Sequence, residues 1–517
     1  MILYRDNRWL AVDKPAGMAT HAGKPGELGA VEWLELHLGI RTHVVSRLDR
    51  GTSGVLLLAL EVDASGRAEE IHESGQAVKI YEFYSAADSL AGGPGETWVR
   101  DEDLDGKPAV TRFQRLEKVP RGGFVRYRAE ISRGRRHQIR RHAATSGVPV
   151  TGDDEYGADR FERLMLHCAE VRWPEFEEPV RAAPPASFTA LAEGRAPGFA
   201  VCRDRRGGWP QTVTNAWRAV HRDEIPGLPA AVDIYGGWFS ATWFDETSSE
   251  EKIAKLLLPV LDEVSAAFGC RGGIVRTHRT NPHQRALVTE TRVIGKAPPD
   301  LFTVTEHDLK YEISLTRTQH TGLFLDQRDT RRRVARDAMG KRLANLFAYT
   351  CSFSVAAAAA AAEVVFSVDT ARPGLKTGKT NFELNGLAES GRGKFIQEDA
   401  RKWLDRQERR RDKNPGDFRP LDMVICDPPV FASAKDGGQF SLEAEWPRLA
   451  AQAAGLLGPG GIAVFANNHR TGDHAFYRRA LEKHFADVTD LRPPLDFPVF
   501  ARRPHHVRTF WCTKKGA

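Results

Sequence analysis

The sequence predicts a multidomain chain of mixed class, α+β followed by α/β, and three observations carry that expectation. At 517 residues the chain exceeds what one ordinary hydrophobic core serves, so two to four domains are expected. The first 195 or so residues hold short β-like runs, WLAVDK, VLLLAL, KIYEFYSA and FVRYRAEIS. From about residue 311 strand and helix patterns alternate, the rhythm of a parallel, doubly wound sheet.

Taken in order, residues 1–195 predict a mixed β-sheet domain, closed by the Pro/Ala-rich linker RAAPPASFTALAEGRAPG. Residues 200–310 follow, with alternating AVDIYGGWFSATWF, helix-like LLLPVLDEVSAAFG and then GGIVRT, which predict a small α+β domain. In residues 311–517, LANLFAY reads as a strand and SVAAAAAAA as a helix by propensity. EVVFSVD, KFIQED, LDMVICDPP and GIAVFANN are further strands separated by helical stretches, and HHVRTFWCTKK is a last strand, giving a Rossmann-like domain. The run DRQERRRDKNPGDFR is expected to be a solvated helix end and loop.

Hydrophobic residues at 41% and charged residues at 27% describe a soluble globular chain. The net charge of +6 is compatible with a nucleic-acid partner without requiring one. Six scattered cysteines form no CxxC pair, which argues against a zinc site and a disulfide framework and suits a reducing cytoplasm; no metal is expected. No stretch of ~20 apolar residues predicts a membrane span. The first residues enter a strand pattern at once, so no signal peptide is expected.

The first stretch with chemistry is SRLDRGTSG, Ser46 to Gly54. Arg47 and Arg50 bracket Asp49, and the apolar run VLLLAL follows the small-residue turn. An aspartate in a basic loop at the mouth of a buried strand suits a carboxylate that stays ionised beside a polyanion. Taken alone, it reads equally well as a turn-capping residue. Further on come GRRHQIRRH, VPVTGDDEYG and LMLHCAEVRWP, and Tyr81 lies in VKIYEFY.

SRLDRGTSG, KIY, GRRHQIRRH and LHC stand in one order, after an opening VDKPAGMATHAG. This set resembles the RluA-type pseudouridine synthases over residues 1–195, with two departures, Ser46 for a usual histidine and Arg136 for a usual threonine. The resemblance implies that Asp49 traps or steers the sugar–uracil intermediate as a nucleophile. It implies that Arg140 keeps Asp49 ionised, since an opposite charge within ~4–6 Å lowers a carboxylate pKa by roughly 1–3 units. Tyr81 is implied to stack on the uracil and to take the proton from carbon 5, once the base has left its stack. Arg50 is implied to fill the gap left behind, and Arg135, His137 and Gln138 to contact RNA. No cofactor is implied for this domain.

In the last block, NLFAYTCSFSV is a strand, a tight turn and a helix, a unit that presents backbone N–H groups to a ligand. Asp369 ends the next strand, where an acidic residue commonly takes ribose hydroxyls. Asp399 ends the third strand, and Asp427-Pro428-Pro429 the fourth. With TGLFLDQRDTRR, SVDTARPGLKTGKTNFELNGL, DPPVFASAK, FANNHR and DFPVFARRP, these resemble the class I S-adenosylmethionine methyltransferases, and more closely the RlmI/RlmK-type ribosomal RNA enzymes. VDIYGGW and RTHRTNPHQ in the middle block fit the same family.

That resemblance implies S-adenosylmethionine as cofactor, held by Phe347, Tyr349, Thr350, Asp369, Asp399, Asp427 and Pro428. Asp399 would meet the adenine amino group, and Asp427 also acts at the acceptor base. One departure is Cys351, where the family has glycine; a side chain there could crowd the methionine end of the cofactor, but cysteine is small and binding is expected to survive. Cys426 lies inside a strand and reads as core, so a covalent route to cytosine carbon 5 is less favoured than a guanine ring nitrogen.

The basic segments GRRHQIRRH, CRDRRGGW, RTHRTNPHQR and RDTRRRVAR, interleaved with Trp209, Trp238 and Phe239, suit RNA, although any one patch alone reads as a solvated face. The expectation is therefore an enzyme of two activities, a pseudouridine synthase fused to a methyltransferase, acting on large-subunit (23S) ribosomal RNA. The competing reading is a ribosome-assembly RNA-binding factor with one or both centres inactive, which Ser46 and Cys351 favour.

Overall fold

A computed structural model describes residues 1–87, 93–120, 122–157, 161–281, 286–317, 320–433, 439–469, 472–500 and 507–516, and the statements below concern these. Parts of RTHRTNPHQR, DPPVFASAK, FANNHR and DFPVFARRP lie outside the described residues.

The N-terminal sheet has ten strands between Ile2 and Arg181. Its central strand Ser53–Ala59 is buried along its whole length, which is why SGVLLLA is apolar on both faces. It pairs antiparallel with Trp9–Lys14 and parallel with Leu166–Arg172. The parallel contact is short, Ser53 opposite His167 and Gly54 opposite Cys168. Gly54 has φ of 108°, and a Cβ there would overlap the Cys168 carbonyl oxygen, so glycine is required at this crossing. The strand Val78–Ser85, carrying Tyr81, pairs with the far edge of Leu166–Arg172. Asp49 and Tyr81 are thus brought to one end of the sheet by strands remote in sequence.

The middle sheet runs from Ala216 to Gly295 in five strands, packed against the helix Glu250–Phe268. The hairpin of Phe302–Glu306 and Leu309–Ile313 spans residue 310, where a domain boundary was expected. Its Val304 and Tyr311 join one hydrophobic core with Trp238 and Ile274 of the middle sheet and Leu343 and Val365 of the last domain. The middle and C-terminal regions are therefore packed as one body.

The last sheet has seven strands: Gly393–Gln397, Val364–Asp369, Arg342–Leu346, Leu421–Cys426 and Leu457–Asn467 lie parallel, then Arg508–Thr513 runs antiparallel between Leu457–Asn467 and the edge strand Asp487–Leu491. The parallel doubly wound sheet is the one the βαβ rhythm predicts. No helix among the described residues is long and apolar enough to cross a membrane.

The regions are joined by buried polar contacts. His37, on the helix Ala30–Leu38, lies 3.2 Å from the Asp329 carboxylate and 3.0 Å from the His307 ring. Arg328 donates to Asp496, whose Oδ2 also accepts the backbone N–H of Arg218 at 2.9 Å. Arg206 reaches the Asp496 carbonyl oxygen at 3.1 Å and pairs with Glu224 at 2.7 Å.

Candidate functional site

In the N-terminal domain a cleft of about 1710 Å³ opens over the end of the sheet, and Asp49, Arg50, Tyr81, Arg135, His137, Gln138 and Arg140 all line it. Arg140, on the helix Gln138–Thr145, donates from Nη1 to Asp49 Oδ2 at 3.5 Å, and His137 Nε2 lies 3.8 Å from Asp49 Oδ1. Asp49 is only one-third exposed. The guanidinium is held from behind by Asp153, fully buried, which accepts from Nε and Nη2 at 2.7 Å each. Burial pulls the Arg140 pKa down, and the hydrogen bonds and charge of Asp153 more than reverse this. Asp153 itself stays ionised, because Arg140 outweighs its burial. The sequence reading gave Asp153 no role, although GDDEYG follows the arginine-rich helix within thirteen residues; a bidentate fork needs a fixed carboxylate.

Tyr81 is buried at 6% exposure, and burial, the neighbouring Cys168 and the charge of Asp49 raise its pKa well above the ordinary value. Its phenol is neutral, which suits stacking on a base; removing a proton from carbon 5 would first require its own ionisation. Ser46, at the wall of the cleft, donates to the Leu57 carbonyl at 2.9 Å. Arg50 is exposed and pairs with Glu27 at 3.2 Å. Gln138, expected to meet RNA, is buried and donates to the Val110 carbonyl at 2.9 Å and to Thr111 Oγ1 at 3.1 Å, while accepting from Arg135 N–H. Its amide is spent on shaping the turn before the helix. His137, with φ of 54°, sits at the helix start and contacts Tyr156 at 3.0 Å.

The second site is built from strained backbone. Phe347, Tyr349 and Cys351 all have positive φ, 56°, 47° and 61°, in the turn after Arg342–Leu346. Non-glycine residues hold such angles only where surroundings over-determine them. Here Asp369 Oδ2 accepts the Tyr349 N–H at 2.8 Å, Thr350 Oγ1 donates to the Gly322 carbonyl at 2.6 Å, and Asn381 donates to the Thr350 carbonyl at 3.0 Å. The facing helix Arg372–Leu384 supplies the room: a Cβ on Gly374 would lie 2.9 Å from the Tyr349 carbonyl oxygen, and one on Gly378 would overlap Cys351 Sγ. Cys351 is fully buried against that helix, with Ala348 and Leu375. The thiol occupies space that Gly378 leaves behind the turn.

Asp369 accepts from Tyr349 and Ala371 N–H with one oxygen each, and each oxygen keeps a lone pair for a ribose hydroxyl. Asp399 is held by its own helix. Its Oδ1 caps the helix Ala400–Lys413 by accepting Arg401 N–H at 2.8 Å, and Oδ2 accepts Arg401 Nη2 at 2.7 Å. An aspartate before a helix is a strong N-cap, and Arg401 adds a second contact, while Oδ2 accepts one hydrogen bond and keeps a lone pair free for a further donor such as an amino group. Phe347 packs on Phe440, ring centres 5.6 Å apart, and Pro428 is buried. Burial, then the like charge of Asp326, pushes Asp427 up to about 7. Asp326, which the sequence reading left unassigned within TGLFLDQRDTRR, is itself raised by burial. Cys426 lies in the core, its thiol pushed well up by burial. Among the described residues no cluster of His, Cys, Asp and Glu suits a metal ion.

The RNA-contact expectation for aromatics and basic runs is corrected in several places. Trp209, Trp238 and Phe239 are buried, and none offers a face to a base. Arg328 and Arg331 of RDTRRRVAR are buried against Asp496 and Glu306, and Arg206 of CRDRRGGW against Glu224. These cations hold the domains together, because a guanidinium can satisfy a buried carboxylate with two parallel hydrogen bonds.

Residues 228–500 match the family described as S-adenosylmethionine-dependent methyltransferase, and residues 8–145 match that described as RNA pseudouridylate synthase. The chain belongs to the S-adenosylmethionine-dependent methyltransferase family and carries a pseudouridine synthase domain before it. Among curated proteins it is 34% identical over 259 residues to the ribosomal RNA large subunit methyltransferase K of Neisseria meningitidis serogroup B, covering 50% of this chain and 70% of that one. It is 30% identical over 346 residues to the methyltransferase K/L of Pseudomonas entomophila, covering 65% of this chain but only 44% of that one. Its fold is that of SMU.776, a methyltransferase solved with SAH (TM-score 0.53, 21% identity, 72% of this chain and 98% of that one). It is likewise that of a SAM-dependent methyltransferase from Streptococcus mutans (TM-score 0.50, 23% identity, 60% and 78%).

Proposed function

We propose that the chain modifies RNA at two centres, isomerising uridine to pseudouridine and methylating a base, with large-subunit ribosomal RNA as substrate. The observation that carries it is the convergence of Asp49, Arg140 and Tyr81 in one cleft, on a chain whose other half is a methyltransferase. The names of the curated relatives support the choice of RNA. We assign the synthase to residues 1–195, the middle region to 200–310 and the methyltransferase to 311–517, with the hairpin at 302–313 shared between the last two.

In the synthase, Asp49 is the nucleophile, oriented by Arg140 in its Asp153 fork. Tyr81 stacks on the flipped base, and Arg50, Arg135 and His137 meet the backbone. In the methyltransferase, Phe347, Tyr349, Thr350, Asp369, Asp427 and Pro428 would hold the cofactor, with Asp399 beside its adenine end. S-adenosylmethionine, when bound, supplies an electrophilic methyl group. The chain's part is to orient a ring nitrogen of guanine toward it, and Asp427, near neutrality in its pKa, accepts a hydrogen bond or a proton from the base. Cytosine carbon 5 is disfavoured because Cys426 is sealed in the core.

The two features that favoured an inactive assembly factor are both accommodated: the Ser46 hydroxyl is bonded to the Leu57 carbonyl at the cleft wall, and Cys351 packs behind the turn. The test is tritium release from uracil-5-labelled ribosomal RNA together with calorimetry using S-adenosylmethionine. Release and heat are expected; silence in both would leave a binding factor.

A further inference from the structure

The face of the strand Val78–Ser85 that presents Tyr81 also presents Lys79, because side chains two residues apart share one side of a strand. Both line the cleft. Lys79 is 8% exposed, and no hydrogen bond or ion pair to its ammonium is found among the described residues. The titratable groups packed near it are His72, Cys168 and Tyr81. Burial pulls His72 down to about 4, pushes Cys168 up to about 12, and raises Tyr81, so all three are neutral at pH 7. Glu69 and Glu73 line the same end of the cleft but are exposed and make no ion pair with Lys79.

A buried ammonium without a countercharge destabilises a fold, and the same group is an unspent donor facing a substrate pocket. Lysine offers three N–H donors and no acceptor. We propose that Lys79 is a specificity residue of the synthase, donating to a carbonyl oxygen of the uracil that stacks on Tyr81; this rests on the synthase reading above. A cytosine, with an amino donor in place of one carbonyl, is met there by a second donor and rejected.

The experiment uses the full chain and a ribosomal RNA transcript labelled with tritium at uracil carbon 5, comparing wild type, Asp49→Ala and Lys79→Met. Lys79→Met is expected to lose roughly 10–100-fold in kcat/KM, the scale of one hydrogen bond to a charged donor. Its melting temperature is expected to equal or exceed that of the wild type, since no native pair is broken. Transcripts carrying 2-thiouridine or 4-thiouridine, whose sulfur is a weaker acceptor, supply the second measurement. The 4-thiouridine transcript should slow the wild type and leave Lys79→Met unchanged; an effect confined to 2-thiouridine would overturn the rejection of cytosine, which shares that carbonyl. Release by Lys79→Met within about 2-fold of wild type, or thio effects equal in both proteins, overturns the assignment. No release by wild type at all would instead sink the synthase reading.

Discussion

Asp49 and Asp427 are each a single carboxylate near the end of a strand, and the two domains treat them differently. Asp49 faces Arg140 and His137 across an open cleft, and Arg140 is itself clamped by Asp153. Asp427 is half-buried and feels the like charge of Asp326, and its pKa rises to about 7. The difference teaches how a protein chooses between an anion and a proton carrier. A fixed cation positions the first carboxylate, whereas burial and a second carboxylate bring the other to the edge of protonation.

The comparison is broken most severely at Asp49. Asp49→Ala should abolish pseudouridine formation, a loss on the order of 10⁴-fold or more, the scale of removing an enzymatic nucleophile. Methyl transfer to the same RNA should be unchanged; a parallel loss of both activities would refute two independent centres. Next is Asp153→Ala, which leaves Arg140 without its buried partner. Denaturant unfolding should show about 3–5 kcal/mol less stability, the cost of breaking a buried ion pair. Tritium release should fall as well, because the guanidinium is no longer aimed at Asp49.

Asp427 sharpens the contrast through pH. Its pKa in the folded chain lies above the ordinary value, so the folded state binds the proton more tightly, and the stability this confers is lost as pH rises through about 7. Asp427→Asn should therefore melt higher than wild type at pH 8, with the gain fading toward pH 4. Methyl transfer by wild type should rise through pH 7, and that step should vanish in the variant; a flat wild-type profile would count against a proton-accepting role. The smallest effect is expected at Cys351→Gly. Glycine relieves a left-handed backbone but empties the space against Gly378, so cofactor affinity by calorimetry should change by less than about 3-fold. A large gain would mean that the thiol does reach the cofactor.

Much of both sites was legible because each critical residue sits in a short, ordered pattern. SRLDRGTSG, KIY and GRRHQIRRH stand far apart in the sequence, and the cleft they share is visible only once the strands Ser53–Ala59, Val78–Ser85 and Leu166–Arg172 pair. Asp153 escaped because a carboxylate among several acidic residues carries no mark of which arginine it will clamp. The aromatics misled for a related reason: Trp209, Trp238 and Phe239 beside arginines look the same whether they stack on a base or on the core.

What the sequence determined by itself is the local grammar: the strand and helix periods, the parallel sheet, and the few motifs whose residue types allow one chemistry. Those depend on side chains within a handful of positions, which the chain order records directly. Only the tertiary structure decided how charge was spent. Arg206, Arg328 and Arg331 all read as basic surface, yet each is matched to a buried carboxylate from another part of the chain. Coulomb energy and desolvation depend on distance and burial in space, and neither is a property of position along the sequence.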